Sequence, residues 1–261
     1  MDEKLIDAAD SDLTGWANPV ARLREALDKD EFTLYCQPIL ALGGPERYPM
    51  GEVLVRLREE EKAMLPPGEF LPVFEHYKMM PQLDRWVVHH VARRIARGSK
   101  LPCYAVNLSG QTIEDRQFPA FVAEEMKAAR AAPKSIIFEI DEPDLLNRPQ
   151  SVSQFVAAIR AAGAGVLVDG FGRRAVSFTP LKALQLDFVK VDGSIVRKLL
   201  TSEVARTKMN AMLRVGQAIG FGLIAECVED QDVLTRLKAL GVGYAQGFGI
   251  YQPQPIDSLA G

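Results

Sequence analysis

The 261-residue sequence is poor in cysteine: it has three, Cys36, Cys103 and Cys227, far apart and odd in number. No C-x-x-C pair and no histidine pair accompanies them, which argues against a disulfide scaffold or a structural zinc site and leaves buried free thiols. Also missing is any apolar run of the roughly 18 residues that a membrane-spanning helix needs. The opening Met1-Asp2-Glu3-Lys4 lacks the basic-then-apolar layout of a signal peptide, so a cytoplasmic protein is expected. Lysine and arginine (31) do not outnumber aspartate and glutamate (34), and no Lys/Arg block occurs. Without a basic face to displace counterions, a polymeric nucleic acid is not an expected partner, although a small anionic ligand is compatible. No Gly-rich dinucleotide fingerprint follows any apolar run, and no internal linker rich in Pro, Gly or Ser interrupts the chain.

What is present is 48% hydrophobic and 25% charged residues, enough for one large core. From about residue 100, β-branched apolar runs alternate with helical spacing: 103–108, 135–140, 165–168, 188–191, 222–225 and 244–251. Phe155, Val156 and Ile159 typify the helical segments, several of which end in glycine. Upstream, 33–42 and 51–57 read as two further strands joined at Gly43-Gly44-Pro45. Leu65-Pro66-Pro67-Gly68 opens a helical region, and Val88, Val91 and Ile95 mark the apolar face of the next helix. About eight strands buried on both faces predict an α/β fold, a (β/α)8-type barrel rather than an open sheet, whose short first connection allows an antiparallel pair. The division is a polar N-terminal tail, 1–17, and one barrel domain, 18–261.

In such a barrel the informative positions are polar residues near the C-terminal ends of strands. Glu52, Asn107, Glu139, Asp169, Lys190, Glu226, Glu229 and Gln246 all stand there. Their five carboxylates against the one ammonium leave a formal charge of about −4, which calls for bound cations. Oxygen donors without histidine select hard ions, Mg²⁺ or Mn²⁺. Beside metals and partly buried, the Lys190 pKa is expected to fall far enough to orient or deprotonate a water attacking a phosphodiester.

Blander readings stand beside this one. A single acidic residue at a strand end is more often a helix cap or a surface ion pair than a ligand, but this many in register form a pattern. Asn107 could bond its own turn, and Glu142 and Asp192 read equally as caps or as partners of the ligating groups. His76, His89 and His90 lie in helical segments and read as surface or packing residues. Met79, Met80 and Trp86 read as core.

These residues resemble the EAL domains, which bind and in many cases hydrolyse cyclic di-GMP. The likeness runs from about Leu34 to Pro255. It is carried by Gln37-Pro38-Ile39, Glu52-Val53-Leu54 with Arg56, Val106-Asn107-Leu108-Ser109, Glu139-Ile140-Asp141-Glu142, Lys190-Val191-Asp192, Ala225-Glu226-Cys227-Val228-Glu229 and Gln246-Gly247-Phe248. The resemblance implies a modified (β/α)8 TIM-like barrel with an antiparallel first strand. It implies Glu52, Asn107, Glu139 and Asp169 as ligands of a first Mg²⁺ or Mn²⁺, Lys190 as the water-activating lysine, Glu226 as a metal-site partner and Gln246 beside the reacting water. Gln37, Leu54, Arg56 and Glu229 would contact the guanines and phosphates, an arginine suiting a phosphate through paired charge-assisted hydrogen bonds.

Three departures bear on activity. The family's Asp-Asp-Phe-Gly is Asp169-Gly170-Phe171-Gly172 here, lacking the second carboxylate of a second metal site. The following Thr-Gly-Tyr-Ser-Ser is Arg173-Arg174-Ala175-Val176-Ser177, and the arginine pair reads as a solvated loop or an interaction patch. Milder changes are Val53 for alanine and Cys227 for glycine. Loss of such an electrostatic element commonly costs several powers of ten in rate, whereas the ligand contacts largely survive. The leading expectation is a cyclic di-GMP receptor with impaired or absent hydrolysis. Its rivals are a Mg²⁺/Mn²⁺-dependent phosphodiesterase yielding linear pGpG and a ligand-free scaffold for protein contacts. A protein effector or a homodimer would receive the signal.

Overall fold

The structure is a computed structural model that describes Trp16 and residues 18–59, 62–173 and 177–259. The expected tail, 1–17, lies outside the described residues except for Trp16, as does Arg174 of the arginine pair. One ten-stranded sheet organises the chain: β1 (Phe32–Ala41), β2 (Met50–Glu59), β3 (Lys62–Leu65), β4 (Cys103–Asn107), β5 (Ile136–Asp141), β6 (Gly165–Phe171), β7 (Phe188–Val191), β8 (Gly222–Ala225), β9 (Tyr244–Ala245) and β10 (Gln254–Pro255). Eight of these strands close a barrel in the order β1-β9-β8-β7-β6-β5-β4-β2, and β2 returns to β1. β1 runs antiparallel to both its barrel neighbours, and the other seam pairs are parallel. The α/β barrel with an antiparallel first strand is therefore as expected.

Helices return the chain between parallel strands, and local sequence sets their ends. Ser202 caps the helix Glu203–Ile219 through Ala205 N, and the left-handed Gly220 ends it. Asp230 and Gly241 do the same for Gln231–Leu240. One face of each strand packs outward on these helices, as where Phe138 meets Phe118 and Phe155 at ring distances of 5.7 and 6.5 Å. The other face fills the barrel with Ile39, Met50, Cys103, Ala105, Ile137, Leu167 and Ile224, flanked by Phe188 and Tyr244. Burying an aliphatic side chain of this kind contributes roughly 1.5–3 kcal/mol. A third cluster, holding Phe32, Phe70, Met79 and Met80, seals the side of the barrel beside β2.

Two elements differ from the sequence reading. β3 is a short antiparallel flank on β2, outside the barrel seam and too brief to show a period. The run 244–251 is a strand only at Tyr244 and Ala245. Beyond them the chain packs backbone to backbone against the segment after β8: a Cβ on Gly247 would lie 2.2 Å from the Val228 carbonyl oxygen, and one on Gly249 would lie as close to that of Glu229. Glycine is thus required for the turn, and apolar character at 248–251 mimics a strand. The three cysteines are free, Cys36 and Cys103 buried and Cys227 half-buried. Among the described residues no helix is long and apolar enough to cross a membrane.

Candidate functional site

The site follows from strand periodicity. Side chains two residues apart share a face, so each inward core residue predicts the next inward group along its strand. Met50 leads to Glu52, Ala105 to Asn107, Ile137 to Glu139, Leu167 to Asp169 and Phe188 to Lys190. Ile224 and Tyr244 lead likewise to Glu226 and Gln246, just past their strands. Because β1 runs the other way, Ile39 leads back to Gln37, which pairs directly with Glu52. An apolar layer is thus overlaid by a polar one drawn from all eight strands.

Lys190 is the hub of that layer. Its Nζ donates to Glu52 Oε2 at 2.8 Å and to Glu139 Oε2 at 2.6 Å. Glu52 also accepts from Asn107 Nδ2 at 2.8 Å and from Gln246 Nε2 at 2.7 Å. Gln246 Nε2 further donates to Gln37 Oε1 at 3.0 Å, and Gln37 Nε2 donates to the Tyr251 carbonyl at 2.8 Å. Glu226 joins from the side, its Oε1 accepting from Gly193 N at 2.9 Å.

Charge is unevenly supported here. Burial works against the Glu52 carboxylate, but the Lys190 charge and the donors from Lys190, Asn107 and Gln246 outweigh it and hold Glu52 below the ordinary range. Burial, then the Glu52 charge, hold Glu139 well above it. Burial also opposes the Lys190 ammonium, yet Glu139, Glu52 and Asp169 keep its pKa well above the usual lysine value. In the metal-free ring three carboxylates around one buried ammonium stabilise its charge, whereas the expected fall concerned Lys190 beside bound metals. Burial, then Asp169, push Glu226 up to about 7.

Among the described residues, no three acidic, histidine or cysteine side chains converge tightly enough, as they stand, to hold a metal ion. The Lys190 ammonium takes the central position between Glu52 and Glu139. Two carboxylate oxygens, Glu139 Oε1 and Asp169 Oδ1, are nevertheless buried with no hydrogen-bond partner. Orphaned anionic oxygens of this kind are costly. In a set of oxygen donors lacking histidine, they suit a hard divalent ion, so the donor set fits one such ion.

A carboxylate next to Asp169 is lacking. Gly170 offers no carboxylate and has a left-handed φ of 64°, and a Cβ placed there would lie 3.1 Å from Arg173 Nη2. Asp192 caps the next short helix through Ser194 N at 2.9 Å and takes Arg173 Nε at 2.7 Å. Glu142 accepts from Gly172 N at 2.9 Å. Glu142 and Asp192 are therefore both backbone anchors of the loops around the site.

Two cavities flank the cluster. One, of about 270 Å³, has Leu54, Asn107, Glu139 and Asp144 on its walls. The other, of about 160 Å³, is bounded by Gln37, Glu52, Glu226, Glu229, Gln246 and Phe248. Arg56 lines neither: its Nη1 donates to the Val55 carbonyl at 2.9 Å and its guanidinium lies over Tyr35. Phe248 had no role in the sequence reading beyond its place in Gln246-Gly247-Phe248, and Asp84 escaped it. Phe248 is 62% exposed at the mouth of the smaller cavity, and an uncovered aromatic has no sequence signature. Asp84 is buried and accepts from Ser109 N at 3.2 Å, Ser109 Oγ at 2.8 Å and Thr112 Oγ1 at 2.6 Å, which fixes the turn after Asn107. A lone acid between the buried Leu83 and Val87 was its available signal.

A parallel barrel with one reversed strand, carrying this inward polar ring, matches a known family. The EAL domain pattern covers residues 20–253. The chain belongs to the EAL domain family. Among relatives of this EAL domain, the cyclic di-GMP phosphodiesterase PdeB of Shewanella oneidensis is 29% identical over 260 residues, 97% of this chain and 30% of that protein. The cyclic di-GMP phosphodiesterase RocR of Pseudomonas aeruginosa is 29% identical over 240 residues, 90% and 61% of the two chains. The chain spans only 30% to 32% of the length of relatives such as PdeB and the Escherichia coli cyclic di-GMP phosphodiesterase PdeF. In structure, the FimX EAL domain of Pseudomonas aeruginosa bound to c-di-GMP superposes with a TM-score of 0.84 at 27% identity, over 91% of this chain and 96% of that one. The PaMucR phosphodiesterase in complex with c-di-GMP gives 0.84 at 25% identity, over 93% and 99%.

Proposed function

We propose that this EAL domain binds cyclic di-GMP and hydrolyses it poorly or not at all, acting as a second-messenger receptor. One contrast supports the reading. The ring of Glu52, Asn107, Glu139, Lys190 and Gln246 is complete and flanked by two cavities, while Gly170 and Arg173 stand where a second metal would need a carboxylate. A ring of two guanosines joined by two phosphodiesters presents two flat bases either side of an anionic centre, which suits two cavities about a cation-seeking cluster. Leu54 would meet one base, and Gln37, Glu229 and Phe248 the other, with Arg56 turning from Val55 to a phosphate.

Glu52, Asn107, Glu139 and Asp169 would hold one Mg²⁺ or Mn²⁺. Bound there, it would neutralise the phosphodiester and polarise its phosphorus towards attack. Lys190 would orient the attacking water. Glu226, near 7, is the group placed to exchange a proton at neutral pH, and Gln246 would position that water. A protein effector or a second copy of the chain would read the occupied state.

The second reading is slow hydrolysis to linear pGpG, favoured by the unpartnered Glu139 Oε1 and Asp169 Oδ1. Titration calorimetry with cyclic di-GMP in EDTA and in Mg²⁺ tests binding. No heat at tens of micromolar ligand refutes the receptor. Chromatography after overnight incubation with Mn²⁺ separates the readings, since accumulation of pGpG selects the enzyme.

A further inference from the structure

The rim beside β6 is acidic, with Asp141, Asp169, Asp192 and Glu226, and among the described residues Arg173 reaches over it while Lys190 lies in the ring below. Arg173 sends Nε to Asp192 Oδ2 at 2.7 Å, and the Asp192 side chain is only 7% exposed. The same guanidinium lies over Gly170, its Nη2 3.1 Å and its Cζ 3.5 Å from where a Cβ would stand. The charges of Glu226 and Asp141 act on it as well as that of Asp192. The other Asp192 oxygen is committed to Ser194 N, so neither carboxylate oxygen is free while Arg173 is in place. Gly170 leaves the guanidinium its room, since a side chain there would crowd Nη2.

We propose that Arg173 is the resident counter-ion of this flank, occupying with a guanidinium the place a second divalent cation would need. The flank is thereby closed to a second metal. Its cation is built in, and the Nη nitrogens, on a side chain 62% exposed, present donors to an anionic oxygen of the phosphodiester class. Ligand uptake on this side then does not depend on dissolved metal. The last step rests on the cyclic di-GMP reading above, whereas the exclusion of a second cation does not.

The geometry also sharpens what a repair must do. Gly170→Asp alone places a carboxylate against Arg173, where the two pair with each other, so no cation site opens. Removal of the guanidinium is needed too.

The test counts Mn²⁺ by titration calorimetry on the purified chain, the wild type beside Gly170→Asp, Arg173→Ser and the double variant, with thermal melts verifying folding. The wild type and Gly170→Asp are expected to take up at most one ion and the double variant one more than the wild type. Two ions on the wild type, or no gain in the folded double variant, overturns the proposal. A second arm titrates cyclic di-GMP in EDTA. Arg173→Ala is expected to weaken binding about tenfold or more, as for loss of a charged hydrogen bond, with Arg173→Lys recovering most of it. Unchanged affinity in Arg173→Ala overturns the phosphate role. If the wild type binds no cyclic di-GMP, the receptor reading fails while the Mn²⁺ counts still decide the role of Arg173.

Discussion

Lys190 Nζ lies 2.6 Å from Glu139 Oε2, and neither side chain meets solvent, at 1% and 0% exposure. Two charges withdrawn this far from water lose several kcal/mol each in hydration, which their attraction recovers only with further partners. Lys190 has one in Glu52, while Glu139 keeps an oxygen with none. A pair so poorly balanced is a weak source of stability and a good place for a charged ligand or ion to act.

Lys190→Met should destabilise the fold at neutral pH by about 3–5 kcal/mol, the usual cost of leaving a buried charge unpaired. The loss should shrink at pH 5, because Glu139 already holds a proton more tightly than an ordinary carboxylate and can neutralise itself. Urea unfolding at the two pH values measures this; equal losses would show that Lys190 is not the charge balancing Glu139.

Burial, only partly offset by Thr112 and Ser109, raises Asp84 from 3.8 to about 6. The folded state then binds the Asp84 proton more tightly than the unfolded chain, so this contribution falls as pH rises from about 4 to about 6 and is level above. Its size is about 2–3 kcal/mol, at 1.36 kcal/mol per pKa unit. Asp84→Asn should lack that slope, and a stability profile of the two proteins from pH 4 to 7 would reveal a widening difference.

Cys227 has φ 57°, a left-handed conformation that favours glycine. Cys227→Gly should raise stability by up to about 1 kcal/mol through relief of that strain, less the packing of Sγ near Gly193. Cys227→Ala, which keeps the Cβ, should give no gain. Thermal melts of the three proteins decide it.

Phe248→Ala should leave the melting temperature unchanged, because the ring is exposed. If the smaller cavity seats a base, the same change should weaken cyclic di-GMP binding about tenfold, a typical value for one lost stacking platform. Calorimetry on the wild type and variant is the measurement, and equal affinity would remove Phe248 from the ligand's surroundings.

Much of this protein can be read from residue order because strand periodicity is local. The runs at 103–108, 135–140 and 222–225 carry their own apolar pattern, and Asn107, Glu139 and Glu226 interrupt or end them visibly. β3 and the shortened β9 were illegible for the opposite reason: four residues show no period, and the strand after Tyr244 and Ala245 is cut short by the backbone approach of Gly247 and Gly249 to Val228 and Glu229.

The sequence by itself determined the number and kind of barrel strands, the identity of the polar residues at their ends and the glycine that follows Asp169, since all of these are properties of neighbours along the chain. Only the tertiary structure decided that Lys190 stays charged between Glu52 and Glu139, that Arg56 turns aside, and that Arg173 reaches over Gly170 to Asp192. Charge state and side-chain direction depend on which groups from distant strands are brought within a few ångströms in a medium poor in water, and no reading along one strand contains that information.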